Sequence, residues 1–227
     1  MTRNNPKIKL PSLRLVHMCK LVGMPKSFAD VGCDHGFISI NLAKCGKTKH
    51  IFAMDISEKC VNKAKENAKT HGVENKIDFM VSDGLEKLNI SKLNTCLIAG
   101  MGGEEIIKII KSKPQNLKVK NFILQPATKV IYLKQWLVKN GFKIQKDEIF
   151  EEKNKFYCFL KVKQGKQKLS ELELNFGKEN LKKPSQTFKK FLASQEQKIK
   201  KYFEQGGSSS MQKQLFLINE AKRRIKI

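Results

Sequence analysis

The chain has 227 residues, of which 40% are hydrophobic. This is enough for one domain with a buried core, or for one domain and an appendage. No apolar run approaches the roughly 20 residues of a membrane-spanning helix, so we expect no contact with a membrane and a cytoplasmic location. The net charge of +24, from 45 basic and 21 acidic residues, predicts a polyanionic partner, nucleic acid first. A basic surface that is merely solvated is the alternative.

The six cysteines form no Cys-x-x-Cys pair, and most of them lie in apolar stretches. This pattern predicts reduced, buried thiols rather than disulfides or a zinc site. We therefore expect no metal cofactor. Nothing in the sequence indicates an obligate protein partner.

The first two thirds of the chain alternate between strand and helix patterns. Leu13, Val16 and Leu21 predict an amphipathic helix that carries Arg14 and leads into the first strand. A second helix is predicted at residues 57–71. Short apolar runs predict five buried strands, at Phe28–Val31, Ile51–Met54, Ile77–Val81, Cys96–Ala99 and Phe122–Leu124. Strands that alternate with helices predict a parallel sheet with crossover helices.

The pattern changes after a helix predicted at residues 129–139. Gly141 breaks the chain, and two strands, residues 142–149 and 156–162, flank a short polar loop. They predict a β-hairpin. Five parallel strands and a terminal antiparallel hairpin form the seven-stranded α/β sheet of Rossmann-like class I S-adenosylmethionine-dependent methyltransferases. A nicotinamide-binding domain more often ends in another crossover helix.

The C-terminal part has helical periodicity. Apolar residues recur over 186–204 and over 211–225, and the stretch 205–210 separates them. They predict an antiparallel, coiled-coil-like helical hairpin. We therefore divide the chain into a methyltransferase domain with a basic N-terminal helix, residues 1–165, and a hairpin, residues 166–227. The hairpin grips RNA or another subunit, or covers the sheet.

The stretch "SFADVGCDHGFIS" predicts a strand, a tight turn and a helix. Dinucleotide-binding turns have a glycine at the position of Asp34. An acid there repels a pyrophosphate but not S-adenosylmethionine, which carries a sulfonium and an amino group. We expect Asp30, Gly32, Asp34 and Gly36 to bind this cofactor, with Asp30 at the methionine amine.

Two more acids follow the second and third predicted strands. Asp55 is placed to accept both ribose hydroxyls, and Asp83 to accept from the adenine amine. Their neighbours Ile56, Ser82 and Gly84 complete the predicted cofactor site. Each acid taken alone is equally well explained as a turn residue or a helix cap.

The fourth strand ends in "LIAGMGGEE". Glycines remove side chains where a ligand passes, and a tight turn is the alternative explanation. We expect Gly100 to lie at the cofactor, and Met101, Gly102 and Gly103 to lie at the substrate.

Several motifs together resemble the TrmK family: "ADVGCDHG", "IAGMGG", "ILQP", "LRL" near the start, and the C-terminal helical hairpin. The family consists of bacterial tRNA (adenine(22)-N(1))-methyltransferases. The resemblance implies a tRNA partner, methylation of adenine 22 in the D-loop, and S-adenosylhomocysteine as the cofactor product. Family members often have serine at the position of Cys33 and alanine at that of Gly36.

The resemblance agrees with the lack of an Asn/Asp-Pro-Pro-aromatic motif after the fourth strand. That motif serves methylation of exocyclic amines, whereas adenine N1 has its own lone pair. Asp34 is our candidate catalytic residue, because a carboxylate beside the base stabilises the charge that the base gains; cofactor binding or helix capping is its alternative role. His35 orients Asp34 or contacts RNA, and Arg14 reaches a phosphate or the target nucleotide.

Two other functions stay open at this point. One is methylation of another acceptor, either ribosomal RNA or a protein. The other is RNA binding without catalysis on a methyltransferase fold. A nicotinamide-dependent oxidoreductase is a weaker third alternative.

Overall fold

The computed structural model describes residues 7–203 and 208–227. Their strands form one seven-stranded sheet in the order β3-β2-β1-β4-β5-β7-β6, with β7 antiparallel to both of its neighbours. The predicted sheet with a terminal antiparallel hairpin is thereby confirmed. The strands are β1 Ser27–Val31, β2 His50–Asp55, β3 Asp78–Val81, β4 Lys92–Gly102, β5 Lys118–Thr128, β6 Phe142–Glu152 and β7 Lys155–Gln164.

Helices cover both faces of this sheet. The helices of this part are α1 Leu13–Val22, α2 Phe37–Cys45, α3 Glu58–Thr70, α4 Gly103–Ser112 and α5 Val130–Lys139. One apolar core lies between the sheet and α4 and α5, and a second lies between the sheet and α1, α2 and α3. All five residues of β1 are buried, as expected for a central strand of a parallel sheet covered on both faces.

The connection between β6 and β7 is shorter than the polar loop we predicted. Both strands continue through the charged residues, and Glu151 pairs with Phe156 and Glu152 with Lys155. The turn consists of Lys153 and Asn154 alone, with φ angles of 50° and 60°. Two successive left-handed residues are typical of a type I′ turn, whose twist matches that of the strands.

Four helices lie in the C-terminal part: α6 Glu171–Phe176, α7 Lys178–Lys182, α8 Gln186–Phe203 and α9 Ser209–Arg224. The predicted pair α8 and α9 is present, and residues 204–207 of the predicted hairpin lie outside the described residues. We did not predict α6 and α7. The sequence did contain a start for α6, because Ser170 and Glu173 form a capping box.

The C-terminal helices share a core that includes Phe176, Phe188 and Leu192. This core also contacts the sheet: the ring of Phe191 lies edge-on to that of Phe156 in β7, at 5.6 Å between centroids. The predicted division at residue 165 falls between β7 and α6. Packing therefore joins the two predicted parts.

A buried ion pair lies next to this junction. Lys134 Nζ of α5 lies 2.6 Å from Asp147 Oδ2 of β6, and both side chains are almost fully buried. Asn180 of α7 donates a hydrogen bond to the carbonyl of Asp147. Gly177, which precedes α7, packs so closely that a Cβ there would lie 2.9 Å from the Asp147 carboxylate.

In the part of the chain that the structure describes, no helix has the length and apolar character needed to cross a membrane.

Candidate active site

The turn between β1 and α2 is held in a conformation that favours glycine. Gly32, Asp34 and Gly36 have φ angles of 75°, 46° and 67°. The amides of Gly32 and Cys33 both donate to the carbonyl of Met54, at 2.8 and 3.0 Å. Gly32 also packs against the flexible end of the Met101 side chain. The turn is thereby fixed between the carboxyl ends of β2 and β4.

A cavity of about 590 Å³ opens beside this turn. The chain leaves β1 toward β2 on one side, whereas β4 lies on the other side. This reversal is the switch point where open α/β sheets bind their ligands. The predicted site residues that line the cavity are Arg14, Asp30, Gly32, Asp34, His35 and Gly100.

Asp30 is a buried acid without a positive partner in the described residues. Its side chain is 5% exposed and accepts one side-chain hydrogen bond, from Ser39 Oγ at 3.0 Å. Burial raises the pKa of Asp30 to about 7, and the nearby Asp55 acts in the same direction. A carboxyl group of this kind, facing a cavity, is suited to receive a cation from a ligand.

Asp34 and His35 stand at the more exposed side of the cavity. The Asp34 side chain is 66% exposed, and its Oδ1 lies 3.8 Å from His35 Nε2. The His35 ring stacks on Phe37. The backbone N–H of Asp34 donates to Asp55 Oδ2 over 3.4 Å, which links the turn to the end of β2.

The predicted residues at the ends of β2 and β3 lie outside the lining of the cavity. The amide of Ser82 donates to the Asp55 carbonyl at 2.9 Å, so these two strand ends are neighbours. Asp83 pairs with Lys108 at 3.3 Å, and Ile56 is 70% exposed. They form a second group of predicted cofactor residues, next to the first and joined to it by Asp55.

Three predicted glycines have packing roles in the structure. A Cβ on Gly103 would lie 2.6 Å from the carbonyl of Lys129, and one on Gly84 would lie 2.9 Å from Ile109. A Cβ on Gly102 would lie 3.3 Å from Thr128 Oγ1. Gly102 and Gly103 thus bring the β4–α4 connection close to β5 and α5, and Met101 packs on Gly32.

Residues that we did not assign to the site hold Arg14 over the cavity. Arg14 Nη1 donates to Oε1 of the buried Gln125 at 3.4 Å, and its guanidinium lies 5.0 Å from the centre of the Tyr157 ring. Glu152 at the end of β6 accepts from the amides of Leu13 and Arg14. Only Gln125 had a signal in the sequence, as a polar residue at the end of a buried apolar strand.

The comparisons with known proteins agree with this geometry. A family model described as "Methyltransferase domain" matches residues 11–160. The chain belongs to the methyltransferase domain family. A putative tRNA methyltransferase of Mycoplasma pneumoniae is 33% identical over 140 residues, which are 61% of this chain and 63% of that protein. This methyltransferase chain therefore matches less than two thirds of that curated relative.

Solved structures match this methyltransferase over almost its whole length. A putative tRNA (m1A22) methyltransferase of Streptococcus pneumoniae, in complex with S-adenosyl-L-methionine, is 30% identical with a TM-score of 0.82. The match covers 93% of this chain and 99% of that one. M. capricolum TrmK, in complex with S-adenosyl-homocysteine, is 26% identical with a TM-score of 0.84, over 96% of this chain and 100% of that one. The predicted resemblance to the TrmK family is confirmed.

The raised pKa of Asp30 predicts a specific pH dependence of stability. Between about pH 4 and 7 the folded protein keeps the Asp30 proton that the unfolded chain releases. The free energy of unfolding therefore loses up to about 1.4 kcal/mol per pH unit from this group as pH rises through that window. Asp30→Asn should remove this loss and gain stability relative to the wild type as the pH rises. Urea denaturation from pH 4 to 8 measures the free energy of unfolding of both the wild type and Asp30→Asn.

Asp78→Asn is the matched control, because Asp78 is an exposed acid at the start of β3. Its unfolding free energy should follow that of the wild type at every pH. Parallel profiles for the wild type and Asp30→Asn would show that Asp30 is not a proton-retaining buried acid.

Proposed function

We propose that this protein transfers the methyl group of S-adenosylmethionine to N1 of adenine 22 in the D-loop of tRNA. The observation that carries the proposal is the buried, uncompensated Asp30 at the switch point. The turn that follows it has an acid, Asp34, where dinucleotide sites have glycine. The Streptococcus pneumoniae neighbour is described as a putative tRNA (m1A22) methyltransferase in complex with S-adenosyl-L-methionine, and the M. capricolum neighbour as TrmK in complex with S-adenosyl-homocysteine. Both descriptions support the proposal.

The cofactor site follows from the acids along the sheet edge. Asp30 receives the methionine ammonium, which supplies the cation that the carboxyl lacks. Gly32, Gly36 and Gly100 let the ligand approach the backbone. Asp55 holds the ribose hydroxyls, and the group Ile56, Ser82, Asp83 and Gly84 surrounds the adenine.

When bound, S-adenosylmethionine supplies a methyl group on a positively charged sulfur. The lone pair of adenine N1 forms the new N–C bond as the C–S bond breaks, so no base has to remove a proton first. Asp34 accepts from the adenine amine and stabilises the positive charge that the base acquires. Arg14 contacts the target nucleotide, and His35 and Met101 hold its base, which must leave its stack. Gly102 and Gly103 shape the loop beside it.

Two substitutions separate binding from catalysis. Asp55→Ala should weaken cofactor binding by about 1–3 kcal/mol, because the ribose hydroxyls lose their acceptor. Asp34→Asn should lower turnover on the order of 100-fold with cofactor affinity nearly unchanged. Calorimetric titration measures the cofactor affinity, and single-turnover methylation measures the rate of methyl transfer. If cofactor affinity in Asp34→Asn falls in step with turnover, Asp34 is a binding residue.

The acceptor is tested with transcribed tRNA. The wild-type protein and labelled S-adenosylmethionine should produce 1-methyladenosine, identified by mass spectrometry of the digested RNA. A transcript with guanine at position 22 should take up no label. Equal labelling of both transcripts would refute methylation at position 22. Labelling of protein in an extract would favour a protein acceptor. Cofactor binding without transfer to any acceptor would favour the non-catalytic alternative.

We further propose that residues 166–227, which pack on the sheet, form an RNA-gripping part that contacts the phosphate backbone. The exposed residues Lys198 and Lys201 lie on α8. Replacing both with glutamine should reduce the slope of log affinity for tRNA against log salt, by roughly 0.7–0.9 for each phosphate that is no longer neutralised. Lys47 and Lys49 precede β2, toward the opposite edge of the sheet, so their replacement is the control. Equal slopes in both double variants would contradict the proposal.

A further inference from the structure

A second cavity of about 530 Å³ lies between the sheet and the C-terminal helices. We call it the aromatic cleft, because Tyr132, Phe156, Tyr157 and Phe191 are among the residues that line it. Gln195 and Gln214 line it from the helical side. The cleft thus combines flat apolar surfaces with a few hydrogen-bonding groups, as ligand sites do.

The walls of the cleft are held in place by contacts within the protein. Phe156 and Phe191 pack edge to face, with an interplanar angle of 72°. Tyr132 on α5 is 50% exposed, so one ring is open to a ligand at the rim. A planar group that enters the cleft finds an exposed aromatic face to stack on.

The charge inside the cleft indicates whether the base or the phosphate of a nucleotide fits there. Lys134 lines the cleft, but its ammonium lies 2.6 Å from Asp147, and both groups are buried. The interior therefore presents a neutralised pair rather than a free cation. A neutral, flat base suits this interior better than a phosphate does.

The cleft and the proposed methyl-transfer cavity lie on opposite faces of the sheet and meet at the end of β5. Gln125 lines the methyl-transfer cavity, and the next residue, Pro126, lines the cleft. Arg14 lines the first cavity and stacks on Tyr157, which lines the second. The Arg14–Tyr157 pair thus stands between the two cavities, with a guanidinium that suits phosphate oxygens.

We propose that the aromatic cleft binds a second, unstacked base of the RNA substrate, next to the methylated adenine in the chain. Arg14 then contacts the phosphate that joins the two nucleotides. Sequence-specific RNA recognition commonly splays single-stranded bases onto aromatic rings, and the net charge of +24 favours a polyanion. The inference rests on the proposed tRNA methyltransferase function and adds how the target nucleotide is reached.

Tyr132→Ala tests the cleft with little risk to the fold, because the side chain is half exposed on a helix. Removal of one base–aromatic stack should weaken tRNA binding by about 5- to 150-fold. Tyr132→Phe should retain affinity, and cofactor affinity should stay at the wild-type value in both. Gln135→Ala is the control, because Gln135 is exposed on the same helix and does not line the cleft.

A coupling experiment with abasic RNA separates stacking from a structural effect. Transcripts lacking the base on either side of the target adenine are bound to the wild type and to Tyr132→Ala. One abasic position should weaken wild-type binding and have no further effect in Tyr132→Ala. The cleft does not bind a base if each abasic position weakens RNA binding equally in both proteins. The same conclusion follows if Tyr132→Ala binds tRNA like the wild type. A wild type that neither binds nor methylates tRNA overturns the proposed function and this inference together.

Discussion

The site is organised around one electrostatic problem, the buried carboxyl group of Asp30. Its hydrogen bond from Ser39 does not replace a counter-ion, and burial raises the pKa to about 7. Asp30 lies in β1, where the chain continues to β2 on one side while β4 lies on the other side, and a cavity opens at this switch point. A ligand that brings a positive group to this cavity gains more from it than a neutral or anionic one does. The tight turn and the open Gly100 serve that approach.

The terminal hairpin of the sheet positions one wall of the same cavity. Glu152 caps the start of α1. In the same hairpin, the hydrogen bond from His17 together with Lys146 holds the pKa of Glu148 at about 2, although burial opposes this. These contacts fix the helix that carries Arg14 across the cavity. The antiparallel strands that distinguish this sheet from a nicotinamide-binding one thus also orient a proposed RNA-binding residue, and through Tyr157 they border the aromatic cleft.

Sequence reasoning predicted the features that local patterns determine. Apolar runs such as Phe28–Val31 identified buried strands, and glycine and acid spacing identified the turn at Asp34. The prediction of a buried strand at Ile77–Val81 was wrong, because β3 lies at the edge of the sheet and is partly exposed. The hairpin loop was predicted, but not its two-residue turn at Lys153 and Asn154, because lysine rarely takes the left-handed conformation. Helix α6 was missed because so short a helix shows little apolar periodicity. No local pattern predicts the Arg14–Tyr157 contact, because the two residues are far apart in sequence. The same holds for Gly103 and Lys129, where backbone packs on backbone. Thr48 Oγ1 is buried without a hydrogen-bond partner in the described residues, and nothing in the structure explains this.

The most direct test of the central claim counts protons during cofactor binding. Calorimetric titration of S-adenosylmethionine near pH 6, in buffers of different ionisation enthalpy, gives the number of protons released per ligand bound. If the ligand ammonium provides the missing counter-ion, Asp30 must lose the proton that its raised pKa retains. We therefore expect release of about one proton in the wild type, and none in Asp30→Asn. A binding heat that does not depend on the buffer in the wild type would contradict this role of Asp30.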